Sequence, residues 1–511
     1  MNAQPSALPE PHRPQWRSRW GFLLAAAGSA IGLGSIWRFA YVCYENGGGA
    51  FLIAYFVALA TAGIPLMILE YGLGHQMRGS APLSFAKVSP AWEWLGWWMV
   101  VFVMFGIVLY YAVVIAWCVC YLGFSVTQAW GADPNAFFFQ QFLGVTAGPQ
   151  ALGDIQSPIL LALVIVWAVN WLIVFFGVEH GIERANKLFM PLLVVLLLAL
   201  IGWNMTLPGA MEGMRTFLRP DFSKLSQPKV WIDAYSQIFF TLSLGFGIMV
   251  AYASYLPRKA DITQDAWITS LADTAVSIVA GLAVFGTLGY MASTTATPFE
   301  RVVDHGIGLA FVAYPKAISL LPSFQSVFGV LFFLALTVAG IASAISILEA
   351  FTAAVTDKFQ YPRKVVVTVL SVLGFVGGLL FTTGGGLAWL DIVDHFLSHY
   401  GLFIACGLQC VLVGWIFGAN RLRQHVNSVS STQVGRLLDV SIKYVVPGVL
   451  LYLLASDAWK DLHQPYGGYP WMALVLLGRD WLLATLIAAL FIALRPWRGA
   501  ARQPDRSAPS A

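Results

Sequence analysis

Gly28-Ser-Ala-Ile-Gly-Leu-Gly-Ser-Ile-Trp-Arg38 places three glycines and a full charge inside a segment otherwise apolar enough to cross a membrane. Gly28, Gly32 and Gly34 lower helical stability. Unwinding there frees backbone carbonyls, which at membrane depth need a water-filled cavity, a protein partner or a bound cation. A helix built only to span carries no such interruption, so the segment reads as a binding site.

The sequence around it is that of a membrane protein. The 511-residue chain is 58% hydrophobic and 11% charged, far from the balance of a soluble globular protein. Apolar runs near the ~20 residues needed to span recur at 20–43, 50–74, 95–124, 157–177, 188–206, 232–256, 264–292, 324–356, 364–383, 388–418, 438–456 and 470–495, about twelve helices in all. Arg13, Arg17 and Arg19 precede the first run. Arg78, Lys87, Arg184, Lys187, Arg258, Lys259, Lys358, Arg363, Lys364, Arg421 and Arg423 fall in alternate loops, which places those loops and both termini in the cytoplasm. The net charge of +4 is thus an orientation signal and needs no nucleic-acid partner.

The N-terminal tail lacks the short apolar core of a cleavable signal, and the Arg/Pro/Ser-rich C-terminal tail reads as disordered. Cys43, Cys118, Cys120, Cys406 and Cys410 all fall in predicted helices, where packing rather than disulfide formation is expected. Asn204-Met-Thr matches a glycosylation sequon but ends an apolar run, so its match is fortuitous. The eight histidines are scattered and no acid, base, nucleophile or metal cluster converges, so an enzyme is not expected.

A second interruption mirrors the first. Gln237-Ile-Phe-Phe-Thr-Leu-Ser-Leu-Gly-Phe-Gly247 puts Thr241, Ser243, Gly245 and Gly247 in the middle of the sixth apolar run. Two broken segments five helices apart point to an inverted repeat of two five-helix units. In such transporters half-helix N-termini near the midplane face an anionic group, and freed carbonyls face cations.

With Glu45-Asn-Gly-Gly-Gly-Ala-Phe51, Gly63-Ile-Pro-Leu-Met67 and Tyr252-Ala-Ser-Tyr255 in the same order, these stretches resemble the neurotransmitter:sodium symporter family across helices one to ten. The resemblance implies an all-α integral membrane fold of about twelve helices, the LeuT-type five-plus-five inverted repeat with helices 1 and 6 broken. Its parts are a cytoplasmic tail (1–19), a first repeat (20–206), an extracellular connection (207–231), a second repeat (232–418), helices 11 and 12 (419–495) and a cytoplasmic tail (496–511). It implies sodium-coupled import of a small amino acid by alternating access, in the inner (plasma) membrane, as a monomer or homodimer in the lipid bilayer.

By resemblance, Ala30, Gly32 and Gly34 meet the substrate's carboxylate and ammonium, and Tyr111 donates its hydroxyl to the carboxylate. Monoamine-transporting relatives carry aspartate at the Gly32 position, so glycine favours an amino acid. Ile107, Phe240, Thr241, Ser243, Phe246, Ser343 and Ile347 then shape an apolar pocket suited to an aliphatic side chain, with an aromatic one admissible.

One or two sodium ions are implied, and there the chain departs from its relatives. The first site takes the Ala30 carbonyl and Thr241, while two usual asparagines are Ser35 and Asp273. The second takes carbonyls of Gly28, Ile31 and Ala339 plus the Ser343 hydroxyl, while a usual Thr or Asp is Ala342. A hard cation needs several oxygens, so the loss at Ala342 is expected to weaken the second site unless water or backbone replaces it. Asp273 is either a functional intramembrane acid or a helix-end carboxylate in cytoplasmic water, since its apolar run begins only near 264.

Chloride-dependent relatives bind chloride at positions matching Tyr55, Gln237, Thr241 and Ser277. Asp273 and Ser277 share one helix face, and a carboxylate beside chloride is repulsive in low dielectric. Chloride is therefore not favoured here. Arg38 and Asp394, with Tyr111 and Phe246, match the extracellular gate; Arg13 and Asp357, with Trp16 and Tyr255, match the cytoplasmic one. Gly181 and Pro191 match a release route at the start of the fifth helix, or are an ordinary helix start. Proton-coupled or ion-uncoupled transport on the same fold, and a non-transporting amino-acid sensor, stand as alternatives.

Overall fold

The computed structural model describes residues 14–302 and 306–498. Arg13 lies outside the described residues. Helices account for the chain: α1 (Arg19–Ala30), α2 (Gly34–Glu45), α3 (Gly49–Met77), α4 (Pro90–Thr127), α5 (Ser157–Phe175), α6 (Val178–Asn204), α7 (Pro228–Thr241), α8 (Ile248–Ala253), α9 (Ile262–Thr295), α10 (Gln325–Phe359), α11 (Arg363–Thr382), α12 (Gly386–Val429), α13 (Leu437–Gly468) and α14 (Trp471–Leu494). Ten of these are long and apolar enough to span, and α1 with α2 forms an eleventh, bent by 76°. The expected twelfth is divided between α7 and α8, neither long enough alone.

Both breaks are local. Only Ile31–Leu33 separates α1 from α2, and Gly28 itself is helical. Between α7 and α8 the chain turns through Leu242–Gly247, with positive φ at Ser243 (52°), Gly245 (77°) and Gly247 (72°). Two of the three are glycine, which enters that region without steric cost. Glu70 in α3 receives the freed Gly245 N–H at 2.7 Å, giving the unwound backbone a partner inside the apolar core.

The start of α1 is pinned from two directions. Ser18 caps it by accepting the Gly21 N–H at 3.0 Å. Glu183 of α6 accepts the Arg17 N–H at 2.8 Å and the Ser18 hydroxyl at 2.9 Å. Pro191 lies inside α6 rather than at its start, which removes the helix-start reading of that proline. Asn204 is fully buried and donates to the Ala283 carbonyl at 2.7 Å, so the sequon is structural. All five cysteines are free thiols.

Candidate functional site

The unwound segments of the two breaks face one cavity of about 700 Å³. Its floor and walls contain all eleven residues expected to meet substrate: Ala30, Gly32, Gly34, Ile107, Tyr111, Phe240, Thr241, Ser243, Phe246, Ser343 and Ile347. Gly32 is tightly framed, because a Cβ there would stand 3.0 Å from both the Tyr111 and Ser343 hydroxyls. Gly34 is closed off on the other side, where a Cβ would meet Phe240 Cε1 at 2.6 Å. The Leu33 N–H, released by the break, donates to the Tyr111 hydroxyl at 3.2 Å. Polar groups therefore gather at the backbone break, and Ile107, Phe240, Phe246 and Ile347 supply apolar wall.

Beside this cradle, Ser35, Thr241, Asp273 and the Ala30 carbonyl converge. Ser35 Oγ lies 2.7 Å from Thr241 Oγ1 and donates toward Asp273 Oδ1 at 3.0 Å, with the Ala30 carbonyl at 3.3 Å. Thr241 Oγ1 is 3.1 Å from each Asp273 oxygen. Asp273 has 0% exposure, which overturns its reading as a helix-end carboxylate in water. It sits eleven residues beyond the start of α9, about 16 Å along the helix axis. Its hydrogen-bond partners are neutral hydroxyls, with no cationic side chain among the described residues.

One turn further along α9, the Ser277 hydroxyl is buried without a partner among the described residues, as are the Tyr55 hydroxyl and both polar atoms of the Gln237 amide. The hydrogen bonds of Asp273 go to Ser35 and Thr241. On the other side of the break, Ser343 Oγ donates to the carbonyls of Gly28 (3.3 Å) and Ser29 (3.2 Å). Ala339 and Ala342 are fully buried and Ile31 nearly so. Ser243 adds a third contact, donating to the Ser29 carbonyl at 2.9 Å.

The two ends of the cavity differ. On the side of the N-terminal tail, Trp16 donates its indole N–H to the Tyr252 carbonyl at 2.9 Å and its backbone N–H to the Tyr255 carbonyl at 3.2 Å. The Tyr255 hydroxyl donates to the buried Glu349 at 2.8 Å, and Glu349 is paired with Arg363. Asp357 accepts the Ser80 N–H at 2.8 Å. On the far side the cavity continues past Arg38 to Asp391, Asp394 and Tyr469.

Arg38 and Asp394 share that opening but form no ion pair. The Arg38 guanidinium lies 4.7 Å from the centre of the Phe240 ring, and Asp394 accepts from Tyr110 at 2.5 Å and Ser398 at 2.9 Å. Asp391, anchored by the Tyr466 and Tyr469 hydroxyls at 2.9 Å each, was not expected from the sequence. Its signal is the spacing of three from Asp394, which sets both on one helix face.

The profile of the family described as sodium:neurotransmitter symporters matches residues 13–135 and 131–498. A relative from Methanocaldococcus jannaschii, an uncharacterized sodium-dependent transporter, is 48% identical over 89% of this chain and 93% of its own length. The creatine transporter of Torpedo marmorata is 34% identical, and the sodium- and chloride-dependent GABA transporter 2 of Rattus norvegicus 30% identical, each over 92% of this chain and 84% of the relative. The chain therefore belongs to the sodium:neurotransmitter symporter family.

Proposed function

We propose that this protein is a sodium-coupled importer of a small hydrophobic amino acid, working by alternating access and without chloride. The observation that carries the coupling is Asp273, a fully buried carboxylate whose partners are two hydroxyls. An unpaired charge in a membrane core is costly and is stabilised by a counter-charge. Ser35, Thr241, Asp273 and the Ala30 carbonyl offer hard oxygens of the kind sodium takes. Gly28, Ile31, Ala339 and Ser343 offer a second, neutral set, with Ala342 contributing none.

The substrate reading rests on the cavity. With no side chain at Gly32, the Tyr111 and Ser343 hydroxyls beside it are left to meet a carboxylate, and the far wall is apolar. With the tail side cytoplasmic, the cavity opens outward in this conformation. Closure then carries Arg38 from Phe240 to Asp394, over the lid formed by Tyr111 and Phe246. Opening inward requires Trp16 to leave Tyr252 and Tyr255, and Asp357 with Arg13 would act on that side.

A bound chloride is the second reading, favoured by one observation: the buried hydroxyls of Tyr55 and Ser277 and the Gln237 amide lack partners among the described residues. Buried donors of this kind suit an anion or an ordered water.

Purified protein in proteoliposomes tests the proposal with a panel of labelled amino acids under an imposed sodium gradient. Accumulation of aliphatic substrates that collapses with the gradient is expected. Accumulation driven by a pH gradient without sodium would overturn the ion assignment, and binding without accumulation would point to a sensor.

A further inference from the structure

The helix α6 packs against both α1 and α10, and it carries Asn186 into that junction. Asn186 has 0% exposure. Its Nδ2 donates to the Ile182 carbonyl at 3.0 Å, which fixes the amide orientation and turns Oδ1 the opposite way. That oxygen has no hydrogen-bond partner among the described residues. It presses on the last helical turn before the break, where a Cβ at Gly28 would stand 2.2 Å from it. Gly28 is thus glycine for close approach of this amide, since its own backbone stays helical.

A buried acceptor left unmade is unfavourable, and one in a folded protein calls for a partner such as a water or an ion. The neighbourhood suits a cation. Ser29 Oγ is also buried and unpartnered, and the Gly28 and Ser29 carbonyls converge on Ser343. Ala342 brings no oxygen to this group.

We propose that Asn186 is a ligand of the cation held at the second site, its Oδ1 standing in for the hydroxyl that Ala342 lacks. The inference rests on the reading of Gly28, Ile31, Ala339 and Ser343 as a sodium site. Coordination draws the amide oxygen toward the carbonyl of Gly28, the residue on which it already presses. The oxygen lost from α10 is thereby supplied from α6, so the occupied site ties α6 to α1.

The test uses full-length protein, measuring thermal stabilisation as sodium replaces choline at constant ionic strength, alongside sodium-driven uptake. Asn186→Ala raises the half-saturating sodium concentration on the order of tenfold. Adding Ala342→Thr to that variant restores it to within about twofold of wild type. Asn186→Ser, a milder change that keeps an oxygen on a shorter arm, falls between and serves where Asn186→Ala does not fold. A half-saturation unmoved by either Asn186 variant overturns the inference while leaving sodium coupling intact. So does a weakened variant that Ala342→Thr fails to restore, which marks Asn186 as packing. Wild-type protein without any sodium dependence overturns the functional reading and this inference together.

Discussion

Around Ser35 the chain concentrates charge, whereas around Gly28 it leaves neutral oxygens and two of them unpaired. Ser35, Thr241 and Asp273 are mutually hydrogen-bonded at 2.7 to 3.1 Å, so that group is preorganised around a carboxylate. Across the break, Ser343 reaches two carbonyls at 3.2 and 3.3 Å, while Ser29 Oγ and Asn186 Oδ1 have no partner among the described residues. One short break thus borders two unlike groups of oxygens. In the proposed reading the acidic one holds its cation with a carboxylate, and the neutral one completes its shell from a neighbouring helix.

The contrast breaks most visibly at the carboxylate. Asp273→Ala leaves the Ser35 and Thr241 hydroxyls without their charge, and sodium-driven uptake is expected to fall on the order of 100-fold. Survival of sodium-driven initial rates in that variant would make the cluster structural.

Both groups border the proposed substrate cradle, and Tyr111→Phe tests whether it is shared. Loss of a hydroxyl that meets a carboxylate costs about 1.5–3 kcal/mol, about 10- to 100-fold in substrate affinity, with little effect on sodium-dependent stabilisation. Radioligand binding at saturating sodium reads the first quantity and a thermal shift the second.

A smaller effect is expected at the mouth. Phe240→Leu removes the ring beneath Arg38, a contact worth about 0.5–1 kcal/mol, and shifts the population toward the closed gate by about two- to fivefold. Labelling rates of a single cysteine introduced in the vestibule measure that shift. The smallest effect is Ala342→Thr alone: with Asn186 already supplying an oxygen, half-saturating sodium changes by about twofold or less. A tenfold gain would show that the second group is short of ligands.

The sequence made the breaks legible because glycine and hydroxyl residues in an apolar run have few other physical explanations. All eleven expected substrate residues line one cavity for the same reason, since each stands at or opposite a break. Depth was harder to read. Asp273 lies near the start of an apolar run, but the helix extends for 34 residues, longer than a bilayer core requires, and packing against α1, α2 and α3 places the carboxylate in the interior.

Asn186 was missed altogether. It is one polar residue among Glu183, Arg184 and Lys187, where an amide reads as part of a solvated helix end, and its relation to Gly28 arises from helix packing between segments 158 positions apart in the chain. The Arg38 contact was missed for a different reason. Motif resemblance pairs Arg38 with Asp394, whereas the open conformation rests it on Phe240.

The most direct test of the account compares wild type with Asp273→Asn in proteoliposomes under an inward sodium gradient, with chloride present or replaced by gluconate. The account predicts equal wild-type uptake in both media, and uptake by Asp273→Asn, where it persists, only with chloride. Equal loss of uptake in both proteins on removing chloride would contradict it and assign the anion to Tyr55, Gln237 and Ser277.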